Sequence, residues 1–433
     1  MIRKAGISRL RFGQDRRGNF ALIGALVMIP LTMAVGAMID LGRAANYDAK
    51  LRDAADSAVL AALAPNSLTA TAAHTMTGIG EIESGEAVAR AFFAANFEAS
   101  DDVTITKLEM TVLKEDQRLY AKVDYTAEVD LMFAAFLPKQ TITLSGSVDA
   151  QMPLDQAVDF YMLLDNSPSM GVAATSDDID TMVQNTSNDC AFACHDLSNN
   201  NNYYKLAKQL GVSMRIDVVR EATQNLTATA LSTRTWDDQF RMAVFSFGAK
   251  AEEMGLTKVA DLSSNMQQVK AATQSVDLMT TPKQNYNSDQ QTDFDSTLAA
   301  LNAVIADPGS GFGDDEPQKI IFLVTDGVAD AKKPSTCTKK TTGSRCQEPI
   351  DVKTCTAIKQ RGIKIAALYT TYLPLPTNSW YSTWIAPFQS EIGPRLEECA
   401  SPGLYFEVGM NDGISDAMEA LFQRTISRLR LLQ

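Results

Sequence analysis

The longest apolar run in the chain lies near its start, where Phe20 to Ile39 (FALIGALVMIPLTMAVGAMI) gives twenty consecutive residues without a charge. At the helical rise this is roughly 30 Å, the thickness of a bilayer's hydrocarbon core, and it predicts a transmembrane helix. Beyond Asp40 the pattern changes but the helix does not stop. Leu41, Ala44, Leu51, Ala55, Val59 and Leu63 recur at helical spacing until Pro65, so a single helix of about 45 residues is expected. Residues 66 to 80, rich in Thr, Ala, Ser and Gly, read as a linker, and Gly85 to Glu98 reads as a helix with Val88, Ala91, Phe92 and Ala95 on one face. The period then shortens to two. Val103 to Val112, Arg118 to Val129 and Thr141 to Ala150 alternate apolar and polar residues as half-buried antiparallel strands do, with Glu115 to Gln117 as a turn. Between the last two, Leu131 to Leu137 (LMFAAFL) is continuously apolar and reads as a short helix packed on the sheet, an exposed contact patch being the alternative.

From Ala157 the pattern changes again. Ala157 to Leu164 (AVDFYMLL) is nearly continuous in apolar residues, as a strand buried on both faces of a parallel sheet would be. Helices are expected at 206–231, 264–275, 293–305, 352–361, 387–399 and 414–431, and strands at 241–248, 320–324, 363–369 and 404–408. This alternation predicts an α/β fold, a doubly wound and mostly parallel sheet whose loops meet at one edge.

Charge adds a direction and removes some functions. Residues 1 to 19 carry a net charge of +5, while the remainder of the chain carries −18 of the total −13. Basic residues before the apolar run put the N-terminus in the cytoplasm and export the rest, a cleaved secretory signal being the alternative. An acidic body lacks the basic footprint that displaces counterions from phosphates, so no nucleic acid is expected as a partner. Two histidines, His74 and His195, exclude a multi-His metal centre. Six cysteines, Cys190, Cys194, Cys337, Cys346, Cys355 and Cys399, all lie beyond the apolar run, where disulfides persist. Nearest neighbours suggest 190–194, 337–346 and 355–399, although six cysteines allow fifteen pairings. Cys190-Ala-Phe-Ala-Cys194-His195 also leaves open a stretched haem-attachment box or a Cys/Cys/His metal site.

The strand at 157–164 runs directly into Asp165-Asn166-Ser167-Pro168-Ser169. A D-x-S-x-S turn at a strand's end sets one carboxylate and two hydroxyls around a point, a hard-oxygen set suited to Mg²⁺ (or Mn²⁺ or Ca²⁺) with water completing the shell. Thr292, just before the helix at 293, and Asp326, at the end of the strand at 320, are where the topology needs two further oxygens. In motif and order, residues 156 to 433 resemble the von Willebrand factor type A domain. The resemblance implies a metal-ion-dependent adhesion site of Asp165, Ser167, Ser169, Thr292 and Asp326, whose shell is completed by a partner's acidic side chain. Two departures stand out: Pro168 where Gly is more usual, and an Asn- and Asp-rich insertion at 171–204 between the turn and its helix. The insertion could add a partner-specific surface or cover the site. A second insertion, 330–349, carries Cys337 and Cys346 and borders the same face.

The N-terminal segment, RRGNFALIGALVMIPLTMAVGAMIDLGRAANYDAKLRDAADSAVLAAL, looks like the amino-terminal region of the TadE/TadG-like proteins of bacterial tight-adherence (Flp) pili, and joined to a type A domain it resembles the TadG-like members. The resemblance implies a single-pass inner-membrane protein with its bulk in the periplasm, partnered by pilus-assembly proteins. Four regions follow: a basic segment at 1–19, the membrane helix at 20–41, a helical stalk with a small α+β pseudopilin-like domain at 42–152, and the type A domain at 153–433. The acid five positions after a prepilin cleavage glycine is missing, since Gly18 is followed by Asn-Phe-Ala-Leu-Ile. The reading is a noncatalytic, metal-assisted protein-binding module with no small-molecule substrate. A surface-exposed adhesin is the alternative. A Mg²⁺-dependent hydrolase with Asp165 as nucleophile is a third reading, and it has no evident general base.

Overall fold

Helix α1 spans Gly18–Ala62, 45 residues, and includes Pro30. The computed structural model describes residues 18–431 except 66, 77, 99, 116–117, 134–139, 188–189, 193–194, 199–201, 314, 334, 375–378 and 410–412, and only the backbone of 18–21 and 428–431. The chain divides into two units, 1–73 with 78–152, and 74–77 with 153–433.

In the first unit, α1 changes character along its length. Its first half is apolar and exposed and is long enough to cross a membrane. In its second half, Leu51, Ala54, Ala55, Ala58, Val59 and Ala62 recur at i, i+3 and i+4 and are buried. The expected stripe holds except at Leu41, which is exposed. Helix α2 (Leu68–Thr75) occupies most of the stretch read as linker, so that reading is corrected. Its Ala, Thr and Leu residues are compatible with a helix, and Thr69, Ala70 and Ala73 are buried by tertiary packing. A short strand β1 (Gly80–Glu81) and helix α3 (Glu83–Asn96) precede the long strands β2 (Val103–Glu115), β3 (Arg118–Asp130) and β4 (Thr141–Pro153), in the sheet order β1-β2-β3-β4. Strand β3 alternates strictly: Leu119, Ala121, Val123, Tyr125, Ala127 and Val129 are buried, and the residues between them are only partly buried. Gly146 on β4 is required by a close approach, because a Cβ there would meet the Tyr125 ring. The predicted turn at 116–117 and most of the apolar run to Leu137 lie outside the described residues.

The second unit is built on strand β5 (Val158–Leu164), with helices α4 (Ser176–Asn185), α5 (Tyr203–Leu210) and α6 (Arg215–Thr233) after it. Then come β6 (Phe240–Ser246), β7 (Thr257–Ser263), α7 (Met266–Thr273), α8 (Phe294–Val304), β8 (Gln318–Thr325), β9 (Val328–Lys332), β10 (Arg345–Pro349), α9 (Val352–Gln360), β11 (Lys364–Thr370), α10 (Gln389–Cys399), β12 (Tyr405–Val408) and α11 (Ile414–Leu431). The main sheet runs β12-β11-β8-β5-β6-β7. All its neighbours are parallel except β6 and β7, which are antiparallel, so the sheet is mixed at that edge. Numbered in order of appearance the strands lie 3-2-1-4-5-6, with the order reversing between β5 and β8.

Alternate residues of the central strands feed two cores. Phe160, Met162, Leu164, Ile320 and Phe322 join one with α6, α7 and α11, while Tyr161, Leu163, Ile321 and Leu323 join the other with α8, α9 and α10.

The helix expected at 206–231 is two helices. Gly211 takes the left-handed conformation, φ +71°, and caps α5, which α6 then follows on a new axis. Strand β7 was not anticipated, because TKVADLS is too short and too polar to stand out from its flanks. The second insertion is an antiparallel hairpin, β9 with β10, tied by the Cys337–Cys346 disulfide. Cys355–Cys399 links α9 to α10. Of the remaining expected pair, Cys190 is a free thiol whose Sγ donates to the Phe192 carbonyl, and Cys194 lies outside the described residues.

Candidate metal centre

Leu164 of β5 is in register with Val324 of β8, so Asp165 and Thr325-Asp326 emerge side by side at the carboxyl edge of the sheet. Here the crossovers leave for opposite faces, and this is the point where a doubly wound sheet opens a crevice for ligands. The Asp165 N–H donates to the Val324 carbonyl at 2.9 Å, which continues the ladder one residue into the loop.

The turn itself is held from inside. Asp165 Oδ1 accepts the Ser167 N–H at 2.9 Å, and its Oδ2 accepts the Thr325 hydroxyl at 2.6 Å. Asn166 faces the other way: its amide donates to the Gly248 and Asp277 carbonyls at 2.8 and 3.0 Å, and its oxygen accepts the Phe247 N–H at 3.1 Å. The loop is thereby pinned to the end of β6. Pro168 opens a 3₁₀ turn, Pro168–Gly171, where its fixed φ is compatible and its missing N–H costs nothing. That accounts for a proline where glycine was expected. The Ser167 and Ser169 hydroxyls lie 3.2 Å apart.

Asp326 completes the group from the neighbouring strand. Its Oδ1 accepts the Val328 N–H at 3.3 Å, while its buried Oδ2 has no hydrogen-bond partner. Burial, and then the charge of Asp165, push its carboxyl up to about 7, and the nearby Ser169 hydroxyl and Arg215 guanidinium only partly offset this. Burial also raises Asp165, against the hydrogen bonds from Ser167 and Thr325. Thr292 is buried as well, and its backbone exchanges two 2.9 Å hydrogen bonds with Asp330, four residues beyond Asp326. Asp165, Ser167, Thr292 and Asp326 are each at most 3% exposed, whereas Ser169 is half-buried, so solvent meets the cluster at Ser169.

The structure thus joins Asp165, Ser167, Ser169 and Asp326 through hydrogen bonds and charge, and brings Thr292 to the same edge through its backbone. Thr325 and Arg215 were missed. Thr325 stands directly before Asp326, and its hydroxyl also accepts the Gly327 N–H at 2.9 Å, a local bond that the sequence Thr-Asp-Gly could have suggested. Arg215, at the start of α6, is 4% exposed, and burial lowers its pKa against the pull of Asp326. Nothing in its local sequence marks it.

The donor set fits a hard divalent cation. Two carboxylates buried together, one with an oxygen left without a partner, are only partly compensated by their hydrogen bonds and by the single cation Arg215, and every side-chain donor is oxygen. The Cys/Cys/His group that the sequence left open includes Cys194, which lies outside the described residues; His195 sets Nδ1 3.2 Å from the Leu278 carbonyl and packs its ring 4.7 Å from that of Tyr204. The insertion that carries it folds onto the same edge. Val172 pairs with Phe192, and Val172, Ala191 and Leu373 form a small core of their own.

A mixed α/β domain with a polar, oxygen-lined cluster at its switch point, on a chain that begins with a long apolar helix, is the class defined by these features. Within that chain, residues 18–73 match the family model described as "Putative Flp pilus-assembly TadE/G-like", so the N-terminal part is TadE/G-like. Solved structures with similarity include the pilus adhesin SpaC from Lactobacillus rhamnosus GG (13% identity, TM-score 0.35, covering 76% of this chain and 34% of that one). The vWF domain of the type V pili tip protein Mfa5 from Porphyromonas gingivalis is another (11% identity, TM-score 0.37, 64% and 96%). A third is proximal thread matrix protein 1 from the mussel byssus, with a zinc-occupied MIDAS motif (14% identity, TM-score 0.33, 63% and 48%). The chain therefore spans about a third of the SpaC structure's length. No curated protein matches the sequence.

Proposed function

We propose that this protein is a membrane-anchored component of Flp/Tad pilus assembly that binds partner proteins through a divalent cation, Mg²⁺ or a similar hard ion. Asp165, Ser167, Ser169, Thr292 and Asp326 would hold the ion, with Asp165 acting partly through water because both of its oxygens already accept hydrogen bonds. The ion would supply a vacant coordination position for a partner's carboxylate. The observation that carries this reading is the buried Asp326 Oδ2, left without a partner beside a second buried carboxylate. The TadE/G-like segment supports the pilus setting, and the basic N-terminus supports a cytoplasmic start with the bulk in the periplasm of the inner membrane. The role in this reading is one of binding, supported by the pilus-assembly setting of the N-terminal segment.

Crosslinking pulldown from membranes, comparing wild type with Asp165→Ala plus Ser167→Ala, tests it. A partner recovered with Mg²⁺ should disappear with chelator and in the variant, while the variant keeps its circular dichroism. Unchanged recovery of every partner would leave the cluster a scaffold feature.

A further inference from the structure

The first unit carries a second apolar surface at the end of the membrane helix. Among the described residues 22–39 of α1, Gly36 alone is buried, and what covers it is Phe133: a Cβ on Gly36 would lie 2.7 Å from the Phe133 Cβ. Phe133 and Met132 belong to the β3–β4 connection, which begins with the Leu131 N–H donating to the Gln140 carbonyl at 2.9 Å. The Asp40 carboxylate fixes this connection to the helix by accepting the Met132 and Phe133 N–H groups, each at 3.0 Å. Arg43 adds an ion pair to Asp102 at 3.0 Å and lies 3.7 Å from Asp40.

These contacts fix a depth. Gly36 stands four residues before Asp40, about 6 Å along the helix axis and inside the uncharged run, and amphipathic surfaces enter a bilayer interface by roughly 5–10 Å. Met132 and Phe133 remain 66% and 53% exposed there, at the level of Val35, Met38 and Ile39, which are also exposed on the helix itself. The two backbone N–H groups of the loop, which would be costly in lipid, are satisfied by Asp40. The acid that ends the apolar run is therefore a clamp that satisfies these two N–H groups where Met132 and Phe133 meet the interface.

We propose that Met132 and Phe133, at the start of the β3–β4 connection, are a second membrane contact, inserted into the leaflet on the Asp40 side of the bilayer that α1 crosses. The occupant of this apolar surface is lipid because the surface is continuous with the lipid-facing helix. The proposal rests on α1 being a membrane span.

The test uses the full chain in phosphatidylcholine liposomes, with Phe133→Trp and the more exposed Met132→Trp as separate probes. Leu26→Trp marks mid-span, and the signal of the native Trp236, Trp380 and Trp384 is subtracted using wild type. Lipids brominated near the carbonyls or near the chain ends, and aqueous acrylamide, serve as quenchers. Expected are blue-shifted emission from positions 132 and 133, stronger quenching by the shallow bromines than by the deep ones, and protection from acrylamide. Leu26→Trp should show the reverse depth order. If neither 132 nor 133 is quenched by brominated lipid while Leu26→Trp is, the loop proposal is overturned, by exposure if acrylamide quenches them and by a protein cover if it does not. If Leu26→Trp is also unaffected by brominated lipid, the anchor reading fails and takes the loop proposal with it.

Discussion

Asp326 sets the electrostatics of the candidate centre, and its titration gives a signed prediction. Its carboxyl is shifted from 3.8 to about 7 in the folded, metal-free protein, so between those values the folded state holds a proton that the unfolded state has lost. Folding stability from this group is therefore fully present at low pH and is lost as pH rises through the window, with no further loss above about 7. In chelator, the urea midpoint should fall across that window, and Asp326→Asn should flatten the slope. Mg²⁺ needs the carboxylate, so its stabilising thermal shift should be larger at pH 8 than at pH 5 and absent in the variant. Arg215 is a buried cation within electrostatic reach of Asp326, and a cation there opposes a second one. Arg215→Gln should tighten Mg²⁺ binding by on the order of tenfold, about 1.4 kcal/mol, as read by calorimetry. Weaker binding would show that the guanidinium holds the site together.

At the scale of elements, the centre depends on β5 and β8 staying in register. At the opposite end of these strands, Asp159 is fully buried and accepts Arg241 through two hydrogen bonds at 2.7 and 2.9 Å and Lys319 at 2.5 Å. Asp159 thus ties β5 to both of its neighbours. Asp159→Ala strands a buried lysine and should cost about 3–5 kcal/mol in chemical denaturation. The Cys355–Cys399 disulfide closes 44 residues of chain between α9 and α10. Replacing both cysteines by alanine should lower stability by about 4 kcal/mol on chain-entropy grounds, with no change in Mg²⁺ affinity, since neither residue belongs to the oxygen cluster.

For the whole molecule, one helix combines two solvents, with a lipid-length apolar half and a half whose Ala- and Leu-lined stripe is buried in the first unit. Deleting residues 1–39 should move the protein from the carbonate-resistant membrane pellet to the supernatant. Retention in the pellet would mean that other parts of the chain hold the bilayer strongly by themselves.

Much of this was legible in the sequence because it is written in local periods. The run from Phe20 to Ile39, the alternation along β3 and the buried runs of β5 and β8 each declare their environment residue by residue, and the D-x-S-x-S turn announces its oxygens. The antiparallel edge strand β7, the break at Gly211, the free Cys190 and the burial of Arg215 near Asp326 were not legible. Each is settled by packing that exists only in the folded chain: β6 for the edge strand, the placement of α6 for the break, the folded insertion for the thiol, and the β8 loop for the arginine. The sequence alone determined which segments are apolar and which side chains can offer oxygen, since both are properties of single residues and their spacing. Only the tertiary structure decided that Asp165 and Asp326 share one desolvated place, because a carboxylate's charge is inexpensive in water and becomes a demand for a counter-ion only when the chain has folded around it.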